Sequence, residues 1–115
     1  MKKIVIIDDE KAITAAFKLC LSYDYQVYAA HTGQDGLTLI EKEKPDLIVL
    51  DWRLNSEVEG KEVLRYVKEY YPQVPAVVVT ASIYSVDEIK TLGPAECILK
   101  PCPDLKDKIM ALLPP

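Results

Sequence analysis

The sequence contains one histidine and three cysteines, Cys20, Cys97 and Cys102, with no metal-ligand spacing among them. A structural zinc site needs four nitrogen or sulfur ligands in close pairs, so that class is excluded. The odd, unpaired cysteine count also gives no disulfide framework and fits a reducing cytoplasm. Cys20 is expected to be a small core residue on a helix face. There is no basic stripe. With 14 Lys+Arg against 18 Asp+Glu, the net charge of −4 argues against nucleic-acid phosphates as partners. No apolar run approaches membrane-spanning length. Lys2-Lys3 before Ile4–Ile7 faintly resembles a signal peptide, but Asp8-Asp9-Glu10-Lys11 ends the apolar run too soon. Linkers, repeats and low-complexity segments are absent, and 115 residues is the length of one domain, residues 1–115. Whether an output domain follows Pro114-Pro115 is left open.

What the chain does have is a set of short apolar runs that stop at polar residues. Ile4–Ile7 stops at Asp8-Asp9, Leu47–Leu50 at Asp51, Val77–Val79 at Thr80, and Ile98-Leu99 at Lys100. Such runs read as strands buried on both faces, the mark of a parallel sheet. Between them lie helical spacings. Ile13, Ala16, Phe17, Cys20 and Leu21 form one expected inner face, Leu37 and Ile40 a second after an N-cap at Thr32, and Val63, Leu64 and Val67 a third. A short helix is expected at Val86–Leu92, closed by Gly93-Pro94, and a last one capped by Asp104 with Leu105, Ile109 and Leu112 inward. Tyr25–Ala30 completes the strands. Five βα units without hairpin signals predict an α/β, doubly wound five-stranded parallel sheet with five helices on two faces.

In an open parallel sheet the carboxyl ends of the strands line one edge, and ligands bind outside it. Asp8, Asp9, Asp51, Thr80 and Lys100 should therefore meet in one crevice. Carboxylates about 4 Å apart repel by roughly 4 kcal/mol at an effective dielectric of about 20. Such a cluster raises a pKa or holds a cation. Oxygen-only ligands with an incomplete cage suit Mg²⁺. Taken alone, Asp8-Asp9 are equally well read as acids at the N-terminus of the helix that starts near Lys11. Asp51, fixed at a strand mouth, is placed to act as a nucleophile toward phosphorus, with Lys100 and Thr80 on the phosphoryl oxygens.

These residues, with Gly93 and Lys100-Pro101, resemble the receiver domains of two-component response regulators over essentially the whole chain. The resemblance implies the flavodoxin-like strand order 2-1-3-4-5 and a cis Lys100–Pro101 bond. It implies Asp51 as phosphoacceptor and Lys100 as partner of the phosphoryl group, with Thr80 reporting its presence. Mg²⁺ would be held by Asp9, Asp51 and the Arg53 carbonyl, with Asp8 more distant or acting through water. It further implies a histidine kinase or phosphotransfer protein as donor, and a downstream effector or fused output domain as recipient of the signal. Arg53 and Ser82 would flank the path of the hydrolytic water.

The sequence departs from the family in three places. Asn55 stands where a proline is usual, and Gly60 comes one residue late, so the loop after Asp51 is one residue longer. The segment from Thr80 to Gly93 is about two residues shorter than the commonest pattern of the family, which implies a short fourth helix. Cys97 replaces the usual aromatic ring three residues before the lysine. Two other readings follow from the residues. One is a phosphorylation-independent pseudo-receiver, mildly favoured by Cys97 and the altered loop. The other is a Mg²⁺-dependent phosphatase with an aspartyl nucleophile, which would carry an acid where Arg53 stands. Ile83, Tyr84 and Val86 are expected either to form a partner surface or to cover the sheet. His31 has no evident role, and Trp52 is expected to be packed or half-exposed.

Overall fold

A computed structural model describes residues 1–115. The strands are β1 (Lys3–Ile7), β2 (Gln26–Ala30), β3 (Leu47–Asp51), β4 (Ala76–Thr80) and β5 (Glu96–Leu99). They alternate with helices α1 (Lys11–Leu21), α2 (Gly33–Glu43), α3 (Gly60–Tyr70), α4 (Val86–Thr91) and α5 (Leu105–Leu112). All strand pairs are parallel, in the order β2-β1-β3-β4-β5, as the sequence predicts.

The apolar runs are explained by alternation. Along a strand, successive side chains point to opposite faces. Val5, Ile7, Ile48, Leu50 and Val78 pack on one face with Ile40 of α2, Val63, Leu64 and Val67 of α3, and Ile89 of α4. Ile4, Ile6, Leu47, Val49, Val77 and Val79 pack on the other with Leu21 of α1 and Leu105 and Ile109 of α5. The central strands β3 and β4 are buried on both faces throughout, and β1 from Ile4 onward, so polar residues wait for their ends. Strand β5 lies at the sheet edge and leaves Leu99 40 % exposed, which corrects the expectation that its run is buried on both faces.

The helix termini follow from local chemistry. Thr32 caps α2 by accepting a hydrogen bond from the Asp35 amide at 3.1 Å. Lys44 ends α2 in the left-handed region (φ 51°), immediately before Pro45. A 3₁₀ turn at Ile83–Ser85 precedes the short α4, and Gly93 (φ 71°) follows it. The Lys100–Pro101 peptide bond is cis.

Three expectations are corrected. Cys20 and Ala16 are exposed, because α1 is rotated to bring Thr14 and Leu21 inward with Ile13 and Phe17 at the margin. Thr14 tolerates burial because its hydroxyl donates to the Lys11 carbonyl and lies 3.0 Å from His31 Nε2, which gives His31 a structural partner. Leu112 is 38 % exposed, and Leu113 packs against the core instead. Asp104 makes no side-chain cap to α5.

Gly60 starts α3 directly against the end of β3. A Cβ there would lie 2.6 Å from the carbonyl oxygens of both Asp51 and Trp52. These are backbone atoms that cannot swing aside. Gly60→Ala should therefore destabilise the fold by about 1–3 kcal/mol, read as a lower Tm in thermal unfolding. An unchanged melt would mean that α3 shifts at no cost.

Candidate functional site

The register of the sheet assembles the site. Ile7 pairs with Leu50, so the next residues, Asp8 and Asp51, stand side by side. Asp51 pairs with Val79, one residue before Thr80, and Thr80 pairs with Leu99, one residue before Lys100. The Lys100 amide donates to the Thr80 carbonyl at 2.8 Å, extending the ladder past β5. All five residues expected from the sequence thus come together at the carboxyl edge.

One carboxylate oxygen from each of Asp8, Asp9 and Asp51 lies within 4.8 Å of the others. Lys100 Nζ sits 3.2 Å from Asp8 Oδ2 and 3.3 Å from Asp51 Oδ2. Asp8 is also tied by the Glu10 amide, which donates to its Oδ1 at 2.9 Å. Asp8 and Asp51 are only 2 % and 7 % exposed, whereas Asp9 is half-buried and faces the opening. Burial, and then the neighbouring Asp8 charge, push the Asp51 carboxyl up to about 6 despite the Lys100 ammonium. Burial works against the Lys100 charge, but Asp51 and Asp8 outweigh it, and the ammonium is held above its ordinary range.

The cluster floors an open crevice of about 700 Å³ whose walls include Arg53, Asn55, Glu59, Thr80 and Ser82. Thr80 Oγ1 accepts from the Ser82 amide at 3.2 Å, which leaves the hydroxyl proton available to a guest in the crevice. Lys61 of α3 and Glu88 of α4 approach to 4.0 Å across the rim, a pair that sequence reasoning missed because nothing local links the two helices.

The loop from Trp52 to Glu59 is pinned by burial and by side-chain hydrogen bonds. Leu54 is buried at 1 % exposure, and its amide donates to Glu59 Oε1 at 2.6 Å. Ser56 Oγ accepts from the Gly33 amide and donates to the Val58 carbonyl. Between these two anchors Asn55 takes the left-handed conformation (φ 54°), and its Nδ2 donates to Asp9 Oδ2 at 2.9 Å. Trp52 packs half-buried against the core. Arg53 is exposed on the crevice wall. Cys97 is half-buried against the α2–α3–α4 face of the sheet, and burial raises its thiol pKa. Ile83 and Tyr84 are 67 % and 94 % exposed, so they do not cover the sheet.

The donor set suits a small hard cation. It offers carboxylate oxygens only, converging from three residues, and Asp9 opens to a crevice roomy enough for coordinated water. Soft or imidazole-seeking metals find no ligand here, since neither His31 nor any cysteine belongs to the cluster.

Comparison with known proteins agrees with this architecture. Residues 4–112 match the family described as the response regulator receiver domain. A CheY-like response regulator receiver domain protein from Methanospirillum hungatei JF-1 is similar at 32 % identity, covering 97 % of this chain and 93 % of that one, with a TM-score of 0.88. The response regulator TrrA from Thermotoga maritima, solved in complex with Mg²⁺–BeF, is similar at 25 % identity over 98 % and 100 % of the two chains, also with a TM-score of 0.88. NtrX from Brucella abortus matches at 26 % identity and a TM-score of 0.80, with 86 % of this chain aligned to 24 % of NtrX. Strand order, sequence match and structural likeness agree along nearly its full length, and the chain belongs to the response regulator receiver domain family.

Proposed function

We propose that this domain accepts a phosphoryl group on Asp51 from the phosphohistidine of a histidine kinase or phosphotransfer protein. The observation that carries the reading is the buried Asp51 carboxylate at a strand mouth, 3.3 Å from the Lys100 ammonium and beside two further acids. An Asp51 oxygen attacks phosphorus in line, the phosphorus–nitrogen bond of the donor breaks, and the imidazole nitrogen keeps the electron pair. Lys100 and the Thr80 hydroxyl then hold the phosphoryl oxygens. Asp9, Asp51 and the Arg53 carbonyl are the residues that would hold Mg²⁺, with Asp8 further back. When bound, the ion neutralises charge that builds up on the phosphoryl oxygens.

The phosphoryl group would stay on Asp51 until slow hydrolysis at the same site returns the carboxylate, so we read the domain as a signalling phosphoacceptor and not as a dedicated enzyme. Arg53 in place of a second acid disfavours the phosphatase reading. The likeness to TrrA, solved with Mg²⁺–BeF, supports the metal, and the alignment to one quarter of NtrX supports coupling to an output domain. We place the protein in the cytoplasm, where its donor would be found. The test is incubation with acetyl phosphate and Mg²⁺ followed by mass spectrometry. One base-labile phosphoryl group on Asp51 is expected. No label would point to a pseudo-receiver, and rapid turnover of the donor to a phosphatase.

Cys97 bears on how the signal leaves the site. A ligand shifts a conformational equilibrium only through its differential free energy between states. A thiol half-buried at this position has no large surface to move, so the response should concentrate in the Arg53–Gly60 loop. Amide chemical shifts with and without beryllofluoride should change most there. Dominant shifts over Ile83–Leu92 and Asp104–Leu112 with a quiet loop would refute this.

A further inference from the structure

We propose that Asn55 is the residue that positions Asp9 for metal binding. This rests on the metal role given to Asp9 above. Each acid of the cluster needs something to fix its rotation. Asp8 has the Glu10 amide and Lys100, and Asp51 has Lys100. Asp9 is the most open of the three, and its side-chain partner is the Asn55 amide, at 2.9 Å.

The loop is built to deliver that amide. Leu54, sunk in the core, and Ser56, bonded to Gly33 and Val58, clamp the residues on either side. Asn55 itself adopts φ 54°, a conformation that asparagine tolerates far better than most residues and that proline cannot reach. A proline at position 55 could neither reach this conformation nor offer a side-chain donor to Asp9.

A donor that occupies Asp9 Oδ2 does not compete with a cation. It leaves the other carboxylate oxygen and the remaining lone pair free, and it holds the carboxylate plane still. Partners of this kind orient metal-ligating carboxylates, and their removal typically costs 10–100-fold in metal affinity.

Asn55 is the only asparagine in the chain, so its side-chain NH₂ gives a single selectively labelled NMR signal pair. Asn55→Gly removes the amide while still permitting the left-handed backbone. Mg²⁺ titration followed by Trp52 fluorescence should show binding about tenfold weaker in Asn55→Gly than in wild type. The Asn55 NH₂ signals of the wild type should shift on Mg²⁺ addition, and in Asp9→Ala they should not respond. Equal or tighter binding in Asn55→Gly overturns the proposal. Weaker binding with wild-type NH₂ signals that ignore Mg²⁺ also overturns it, because the effect would then come from loop shape alone. If the wild type itself binds no Mg²⁺, it is the metal role of Asp9 that fails.

Discussion

Free of metal at pH 7, Asp51→Asn should melt several degrees above the wild type, and it should take up no phosphoryl group from acetyl phosphate. The two effects have one origin. Burial and Asp8 hold the Asp51 carboxyl near 6 in the fold, against an ordinary value of 3.8. A raised folded pKa means that the ionised form is the costly one. Its contribution to stability is fully present below 3.8 and is lost as pH rises through about 6. At neutral pH the wild type therefore carries a strained charge, worth on the order of 2–3 kcal/mol. Asparagine carries none, yet keeps an oxygen that can accept from Lys100. The advantage should shrink as pH falls from about 6 and vanish below 3.8, as thermal melts across that range would show. A variant less stable than wild type at pH 7, or stabilised equally at low pH, would contradict the electrostatic account. The amide is also a poor nucleophile toward phosphorus, so a label surviving on the variant would remove Asp51 from its proposed role.

Lys100→Ala should have the opposite effect on stability. The ammonium touches two of the three acids and is itself largely sheltered. Removing one member of a buried ionic group leaves uncompensated charge, at a cost of about 3–5 kcal/mol. A drop in Tm of roughly 10 °C or more is expected for a domain of this size. The loss should diminish as pH falls and the carboxylates take up protons. It should also diminish with saturating Mg²⁺, because ammonium and cation neutralise the same oxygens, and Mg²⁺ should bind this variant more tightly than wild type. Phosphorylation by acetyl phosphate should nonetheless be slower, since the transferred group has lost its cationic partner. Circular dichroism melts with chelator or MgCl₂ check the first claim, and a labelling time course the second. Unaltered stability, or weaker Mg²⁺ binding, would show that Lys100 is not the internal counter-ion.

What the sequence revealed and what it hid divide along physical lines. The strand ends were legible because a strand buried on both faces leaves no choice of residue until it surfaces. Asp8, Asp51 and Thr80 therefore mark that edge unaided, whereas Lys100 follows the partly exposed edge strand β5 and is marked by its place in the βα rhythm. The helix faces were less legible. Cys20 and Leu112 fit the apolar spacing but lie outside, because the rotation of α1 and α5 is set by packing on the sheet and not by each helix's own pattern. Thr14 was missed because a polar residue breaks the apolar spacing, and one of its two hydroxyl partners, His31, lies 17 residues away. Asn55 was visible only as an absent proline. Its bond to Asp9 spans 46 residues and needs the left-handed backbone that Leu54 and Ser56 enforce, so no local pattern announces it.

The Lys100–Asp8 contact joins residues 92 positions apart, almost the full run of the chain. Closing so long a loop is entropically costly and yields nothing until the intervening strands have docked between β1 and β5. A partly folded chain that lacks β5 brings the acids together without their counter-ion, and repulsion opposes it. Selection against half-formed states is thus written into the charge pattern, and any ligand that requires the whole cluster draws its stabilisation from cooperative folding of the entire sheet.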